Sequence, residues 1–405
     1  MTTGTGQTTV DLSRARASVL YAAHFIGDEQ TGIVNAWGRT LAETIQADSE
    51  IPYCDISCVD GYAARAIDTS GASDKTPRSV SILSDSALSP PKEILPGTVV
   101  RVRNGDPLPV GADTVIRLNN TYRPNGGPEL LIIAECKAGE NVQRTGTWVS
   151  SGEVLIEEGT LISGLEMGLL ASLGRPGVVV SRKPRVAIVT TGAMATDTAN
   201  NERGCIPHNG ARYALVGMVL EAGSEIGRLI HVKDGRIGLE RALAECAMCD
   251  ATLVALGRTD RHDAALQALG NAGSVYFERV HVEPGGATAF GTVVGRPVIV
   301  MPADSVVEVF ETLARPALLR MLGRSTIDRP TVIAASLSTL KLNPGYSHII
   351  KARLCFGPDG PTVKALSGKS DDIRPWMLPN ALMTIPANVD NVKRGDSVKC
   401  LALGA

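Results

Sequence analysis

Between Leu253 and Gly270 an apolar run meets a glycine and then a dense set of reactive side chains, Gly257-Arg258-Thr259-Asp260-Arg261-His262-Asp263, before helical periodicity resumes. A strand that delivers its carboxyl end into such a cluster is a usual ligand address in an open α/β sheet. Guanidinium groups there pair phosphate or another oxyanion bidentately. Asp260, His262 and Asp263 are the residue types that acid/base work requires. The alternative is a solvated loop whose charges pair with one another. A second candidate, Asp60-Gly61-Tyr62, sets a carboxylate beside a permissive glycine and an aromatic; taken alone, Asp-Gly is equally an Asx-type turn.

Other look-alikes carry less. Gly4-x-Gly6 follows no strand pattern, "SGKS" at 367–370 lacks the leading glycine of a phosphate loop, and the histidines define no triad. Cys246-x-x-Cys249 has half the spacing of a zinc site, but the other close pair, Cys54 and Cys58, is distant and differently spaced. Buried thiols at a helix end account for the 246/249 pair.

The elements that must position these residues follow from periodicity. Asp11 to Gly38 reads as largely helix, with a further short helical pattern through Leu41 and Ile45. From Ile51 to about Ser150, "SVSIL", "TVVRVRN", "DTVIRL" and "LLIIAE" are short β-type runs between Gly, Pro and Asn. Leu161 to Gly174 is helical again. Arg185 to Gly323 then alternates: strand "RVAIVTTG", a helix near Tyr213–Ala222, strand "EIGRLIHV", helix "LERALAECA", strand "ATLVALG", helix "AALQALG", strands "VYFERVHVEP" and "RPVIVMP", and helix "VVEVFETLARPALLRMLG". That rhythm predicts a three-layer α/β/α domain on a mostly parallel sheet. "TVIAASL", "SHIIKARLCF", "ALMTIPA" and "SVKCLAL" predict a C-terminal β-barrel-like domain. The expected division is a helical part at 8–50 with 147–184, a β-rich domain at 51–146, the α/β domain at 185–326 and the β-domain at 327–405.

Composition narrows the partners. The 405 residues carry 40 Lys and Arg against 42 Asp and Glu, so no global positive field exists to hold nucleic acid or acidic lipid. No run offers the roughly 20 uninterrupted apolar residues of a membrane span. The polar opening "MTTGTGQTTVDLSRARASVL" lacks the basic start and apolar core of a secretory signal, and the scattered cysteines suit a reducing compartment. A cytoplasmic protein with small-molecule partners is expected.

Asp60-Gly61-Tyr62-Ala63, "GDPLPVGADTVI" (105–116), "ENVQRTG" (140–146), "IPHNGARYALVGMVLEAG" (206–223), "VEPGGATAFG" (282–291), "ARPALLRMLG" (314–323) and "ALSGKSDDIRPWMLPNALMTIP" (365–386) follow in one order. In this the sequence resembles the molybdopterin molybdenumtransferase family, the bacterial MoeA proteins and the E domain of gephyrin, over nearly its whole length. The resemblance implies a homodimer of four-domain subunits whose α/β domain binds molybdopterin or adenylyl-molybdopterin, a pterin nucleotide. It also implies placement of molybdate on the dithiolene with loss of AMP, assisted by Mg2+, and a molybdoenzyme or another protein of the cofactor pathway as partner.

Asp60, Arg144, Thr191, Gly192 and Asn209 match the family at the implied site. Asn104, Gly257, Arg258, Pro284, Gly285, Pro302 and Asp304 lie on its loops. Asp60 and Asp260 are the implied metal ligands; Asp60, Arg144, Asp260, His262 and Asp263 are the catalytic candidates. The departures fall on anion handles. The two lysines of the family's K-P-G-K-P become Glu283 and Gly286, its Gly-rich S-G-G-V-S-x-G-D loop becomes the 257–263 cluster, its S-T-G-D-E reads Thr190 to Met194, and the Asp of R-x-G-E-D is Trp148. Arg258 and Arg261 are the residues able to replace the lost cations. Three readings follow: a molybdenumtransferase; a divergent relative that binds a pterin, nucleotide or client enzyme without inserting metal; and an enzyme turned to another anionic substrate through Asp260, His262 and Asp263.

Overall fold

A computed structural model of the chain describes residues 8–84, 93–192, 210–233, 235–257, 262–366 and 379–404. The chain forms two compact units, one of residues 44–157 and the other of residues 1–43 with 158–405.

In the larger unit the runs Arg185–Thr191 and Ala251–Leu256 are buried almost throughout, as strands covered on both faces must be. Alternate side chains divide between two cores: Ile188, Leu253 and Ile299 pack with helices Leu12–Ala22 and Gly210–Glu221 and with the helical run from Val306 to Met321. Val189, Val254 and Val300 pack with helices Gly235–Cys246 and His262–Ala272. The strand order is Glu225–Val232, Arg185–Thr191, Ala251–Leu256, Arg296–Pro302, Ala289–Val293, Ser274–Phe277. The first four run parallel, Ala289–Val293 runs against them, and Ser274–Phe277, antiparallel to Ala289–Val293, runs with the first four. The sheet is therefore mixed.

The last strands of this unit close on themselves. Ser347–Gly357, Gly360–Ala365, Thr331–Ser336, Ser397–Ala402 and Ala381–Ile385 pair in sequence, and the last also pairs with the first. Closure removes the exposed edges that open sheets must protect. Val282–Glu283 lies alongside, parallel to Ser347–His348.

The 44–157 unit is built on a six-stranded sheet with Gly61–Ala64 between Thr114–Arg117 and Thr98–Val102. All four residues of Gly61–Ala64 are buried. Gly61 is required there: a Cβ would sit 2.1 Å from the Ile116 carbonyl oxygen.

Several expectations need correction. Helix does not continue to Gly38: it ends at Ala22, and Asp28–Gly32 is a strand antiparallel to Gly177–Ser181. The helical spacing through Ile45 is likewise overridden, since Ile45 pairs with Ile156 across a short ladder. In both cases the partner strand lies more than a hundred residues downstream, so local periodicity misreads what tertiary pairing decides. "VYFERVHVEP" is not one strand. Ser274–Phe277 joins the central sheet, Arg279–Val280 pairs with Thr9–Val10, and Val282–Glu283 joins the barrel. Ala289–Val293 and Gly360–Ala365 are strands that the pattern did not single out. The Leu161–Gly174 helix is trimmed to Gly164–Ser172, started by a capping box between Ser163 and Glu166.

Candidate functional site

In the 44–157 unit, three turns meet at one end of the sheet. Asp60 precedes the buried Gly61–Ala64 strand and is itself exposed. Its Oδ1 accepts the main-chain amide of Asn104 at 2.9 Å, so two candidate residues are brought together. The Asn104-Gly105 turn is fixed by the Gly105 amide on the Ser57 carbonyl at 2.8 Å and the Arg103 amide on Asp106 Oδ2 at 2.7 Å. Gly105 has φ +87°, where a side chain is strained.

Arg144 follows the short strand Val142–Gln143, which pairs with Ile56–Ser57 and so brings Arg144 opposite Asp55. Its Nη1 donates to Asp55 Oδ2 at 2.6 Å, and the Thr145 amide and hydroxyl donate to Asp55 Oδ1 at 2.9 and 3.1 Å. Burial pushes the Asp55 carboxyl up, but the Thr145 amide, Arg144 and the Thr145 hydroxyl outweigh it and hold the group below the usual carboxylate range. Asp55 was not foreseen. Its signal was available in the position of an acid next to the D-G-Y-A segment, but the identity of its partner was not.

In the larger unit, the carboxyl ends of the parallel strands carry Thr191, Val232, Leu256 and Pro302. Thr191 Oγ1 accepts the Gly257 amide at 3.1 Å, tying two candidates across neighbouring strands. Gly192, at φ +131°, donates its amide to the Val232 carbonyl at 3.1 Å. His231, which sequence reasoning passed over, holds this turn: Nε2 lies 3.1 Å from the Gly192 carbonyl and Nδ1 3.0 Å from Thr190 Oγ1. Of the two neutral tautomers, only Nε2–H satisfies both, with the threonine hydroxyl donating to Nδ1. Asn209, Arg258, Asp260 and Arg261 lie outside the described residues.

His262 opens the helix His262–Ala272 at this same edge. Its Nε2 lies 2.8 Å from the Glu278 carbonyl, and its Nδ1 is buried with no hydrogen-bond partner among the described residues. Burial lowers its pKa, although the Glu278 carbonyl opposes that. His262 is thus a neutral ring docked on the 278 turn, while Asp263 beside it is exposed.

The 283–288 turn reaches the same edge, because Ser274–Phe277 ends there and Ala289–Val293 begins there. Pro284 leads into Gly285, whose φ is +104° and whose carbonyl accepts the Thr288 hydroxyl at 2.6 Å. A Cβ on Gly285 would lie 3.0 Å from Val309 Cγ2, so this turn packs on the helix that follows Pro302. Asp304, in the turn Ala303–Ser305, accepts the Ser305 hydroxyl at 3.0 Å. Glu283 faces the barrel: Asn343 Nδ2 donates to its Oε2 at 2.7 Å and His348 Nδ1 lies 3.9 Å away. Between the helix starts, Thr191, Val232, Arg236, Leu256 and Ala265 line a hollow of about 40 Å³, room for little more than water.

Among the described residues no set of three or more His, Cys, Asp or Glu clusters as a metal site. Cys246 and Cys249 are buried and free; burial pushes the Cys246 thiol up to about 12 and raises Cys249 as well. No helix among the described residues is long and apolar enough to cross a membrane.

A sheet with polar, glycine-bearing turns at its carboxyl edge, a closed barrel beside it and a β unit presenting D-G-Y-A together define a MoeA-type fold. Residues 10–174 match the MoeA N-terminal region (domain I and II). The molybdopterin biosynthesis MoeA protein from Pyrococcus horikosii superposes with a TM-score of 0.88 over 98% of this chain and 100% of that one, at 24% identity. Molybdopterin molybdenumtransferase 1 of Mycobacterium tuberculosis is 26% identical over 400 residues, 91% of this chain and 93% of that protein. The Bacillus subtilis molybdopterin molybdenumtransferase is 31% identical over 271 residues, 64% of this chain and 62% of that one. The chain thus has the MoeA fold, and it is similar over nine-tenths of its length to molybdopterin molybdenumtransferases.

Proposed function

We propose that the chain acts in molybdenum cofactor biosynthesis as a molybdopterin molybdenumtransferase. The observation that carries this is the meeting, at one sheet edge, of the Thr191–Gly257 bond, the Gly192 turn, the Pro284-Gly285 turn and the Pro302–Asp304 turn. Main-chain amides and glycine turns at strand ends suit a pterin phosphate, and relatives matched over nine-tenths of the chain carry that name. In this reading adenylyl-molybdopterin is the pterin nucleotide bound, molybdate is placed on the dithiolene, and AMP leaves. Thr191, Gly192, Gly257, Pro284, Gly285, Pro302 and Asp304 contact the pterin and its phosphate, with Asn209 and Arg258 joining them.

Asp60 fits Mg2+. An exposed carboxylate with one oxygen engaged by an amide leaves a hard ligand, and Mg2+ commonly takes one or two carboxylates together with phosphate oxygens and water. Asp260, the other implied ligand, lies outside the described residues. When bound, the ion supplies charge for phosphate and molybdate oxygens. Arg144 is a positioning residue through Asp55, and His262 positions the start of its helix on the Glu278 carbonyl. A cytoplasmic homodimer of four-domain subunits, meeting a molybdoenzyme or pathway protein, belongs to the same proposal.

One observation favours binding without insertion: Arg144 and Glu283, which sit on the family's site loops, are both already partnered within the chain. Complementation of a strain lacking the transferase, read by the activity of a molybdoenzyme, separates the two. Rescue by the wild type with loss in Asp60→Ala supports insertion. Tight molybdopterin binding without rescue supports the binder, and failure of both removes the proposed function.

A further inference from the structure

At the opposite edge of the parallel strands, where they begin, the larger unit carries a second, half-open hollow of about 290 Å³. Asp250 lies at its base, 4% exposed. Arg182 donates to the Asp250 carboxylate through Nη2 at 2.9 Å and Nη1 at 3.1 Å, the Arg185 amide at 2.8 Å, and Arg296 Nη1 at 3.2 Å. An ionised carboxylate has about four acceptor positions, so Asp250 has none left for a ligand.

The arginines differ from it. Two guanidinium groups face this one carboxylate. Glu29 and Glu225 also act on Arg182, but Glu29 is bound by Arg39. Arg182 turns Nε to the Ile26 carbonyl at 3.3 Å and Nη1 to that of Lys183 at 3.5 Å. Arg296 uses one N–H of its five on Asp250 and remains 47% exposed. The facing wall is apolar, with Phe25, Ile26, Pro297 and Met321.

The turn that supplies Arg296 is strained. Ala289–Val293 and Arg296–Pro302 are joined by Val294 and Gly295, both left-handed, at φ +51° and +72°. Hairpins of this kind place Asn or Asp before the glycine, and a β-branched residue there is an outlier. Such strain persists where the surroundings demand the geometry, and here the turn delivers Gly295 and Arg296 to the mouth of the hollow.

Size sets the class of ligand. An apolar cavity of roughly 150 Å³ already admits benzene, and sites for larger ligands begin near about 300 Å³. We propose that this hollow binds a small amphipathic anion, a carboxylate or phosphate monoester on a ring-sized apolar body, with Arg296 donating to the anionic group and Phe25 and Met321 covering the ring.

The test is titration of the full-length chain, followed by NMR and calorimetry, with phenyl phosphate, benzoate, benzyl alcohol and inorganic phosphate. The expected result is binding of phenyl phosphate or benzoate, and which of the two binds tighter assigns the anionic group. Benzyl alcohol and inorganic phosphate should each bind roughly tenfold more weakly than the better anion. Arg296→Gln and, separately, Phe25→Ala should each weaken that anion by roughly tenfold; both positions are half-exposed, and two variants guard against misfolding of one. Absence of binding up to about 10 mM overturns the inference. Inorganic phosphate binding as tightly as phenyl phosphate also overturns it, as does an affinity that neither variant changes.

Discussion

Arg144 Nη1 lies 2.6 Å from Asp55 Oδ2, in a pair whose residues stand 89 positions apart. The candidate catalytic arginine is thereby a tie between two turns at the Asp60 end of the 44–157 unit. Asp55→Asn should cost roughly 1 kcal/mol at neutral pH. The sign with pH follows from the depressed Asp55 pKa: the stability it contributes is present above the ordinary carboxylate range and is lost as pH falls through the depressed value. Urea unfolding across the acid range should show a limb in the wild type that is shallower in Asp55→Asn; superimposable limbs would refute the assignment.

Glu308 and Lys351 form a pair 3.2 Å long in which both side chains are more than nine-tenths buried. It joins the helical run after Pro302 to the barrel strand Ser347–Gly357. Removing one partner leaves an uncompensated buried charge, so Lys351→Met or Glu308→Leu alone should cost about 3–5 kcal/mol. The double variant should recover most of that loss. A double-mutant cycle by chemical denaturation checks it, and simple additivity would show the pair to be uncoupled.

Gly61 admits no side chain, with the Ile116 carbonyl oxygen 2.1 Å from where a Cβ would lie. Gly61→Ala should cost roughly 3 kcal/mol by forcing two paired strands apart, whereas Gly210→Ala, with nothing within 4 Å, should not destabilise. The contrast in thermal midpoint decides whether the glycine of D-G-Y-A serves packing.

The exposed thiols Cys54, Cys58 and Cys355 should react with an aromatic disulfide reagent in the native protein. Cys246, pushed up to about 12 by burial, and Cys400, pushed up to about 11 by the same cause, should react only on unfolding. Replacing Cys246 and Cys249 by serine should leave zinc content unchanged; a fall in bound zinc would restore the metal reading of that pair.

Much of this was legible in the linear chain. The continuous apolar runs Arg185–Thr191 and Ala251–Leu256, and the helical spacing in Gly235–Cys246, depend on neighbours a few residues away and predict these two strands and this helix. The ordered motifs from Asp60 to Pro386 carry the resemblance to molybdopterin molybdenumtransferases. The helical reading of 23–38 failed because a strand partner at Gly177–Ser181 has no local signature.

Local patterning by itself determined strands such as Arg185–Thr191 and Ala251–Leu256, helices such as Gly235–Cys246, and which turns carry chemical groups, because those properties depend on neighbours a few positions away. Only the tertiary structure decided what each group faces: Arg144 on Asp55, Glu283 on Asn343 across 60 positions, and His262 on the Glu278 carbonyl. A charge has no direction in a sequence. Its availability to a ligand is settled by whichever distant donor or acceptor folding brings within about 3 Å.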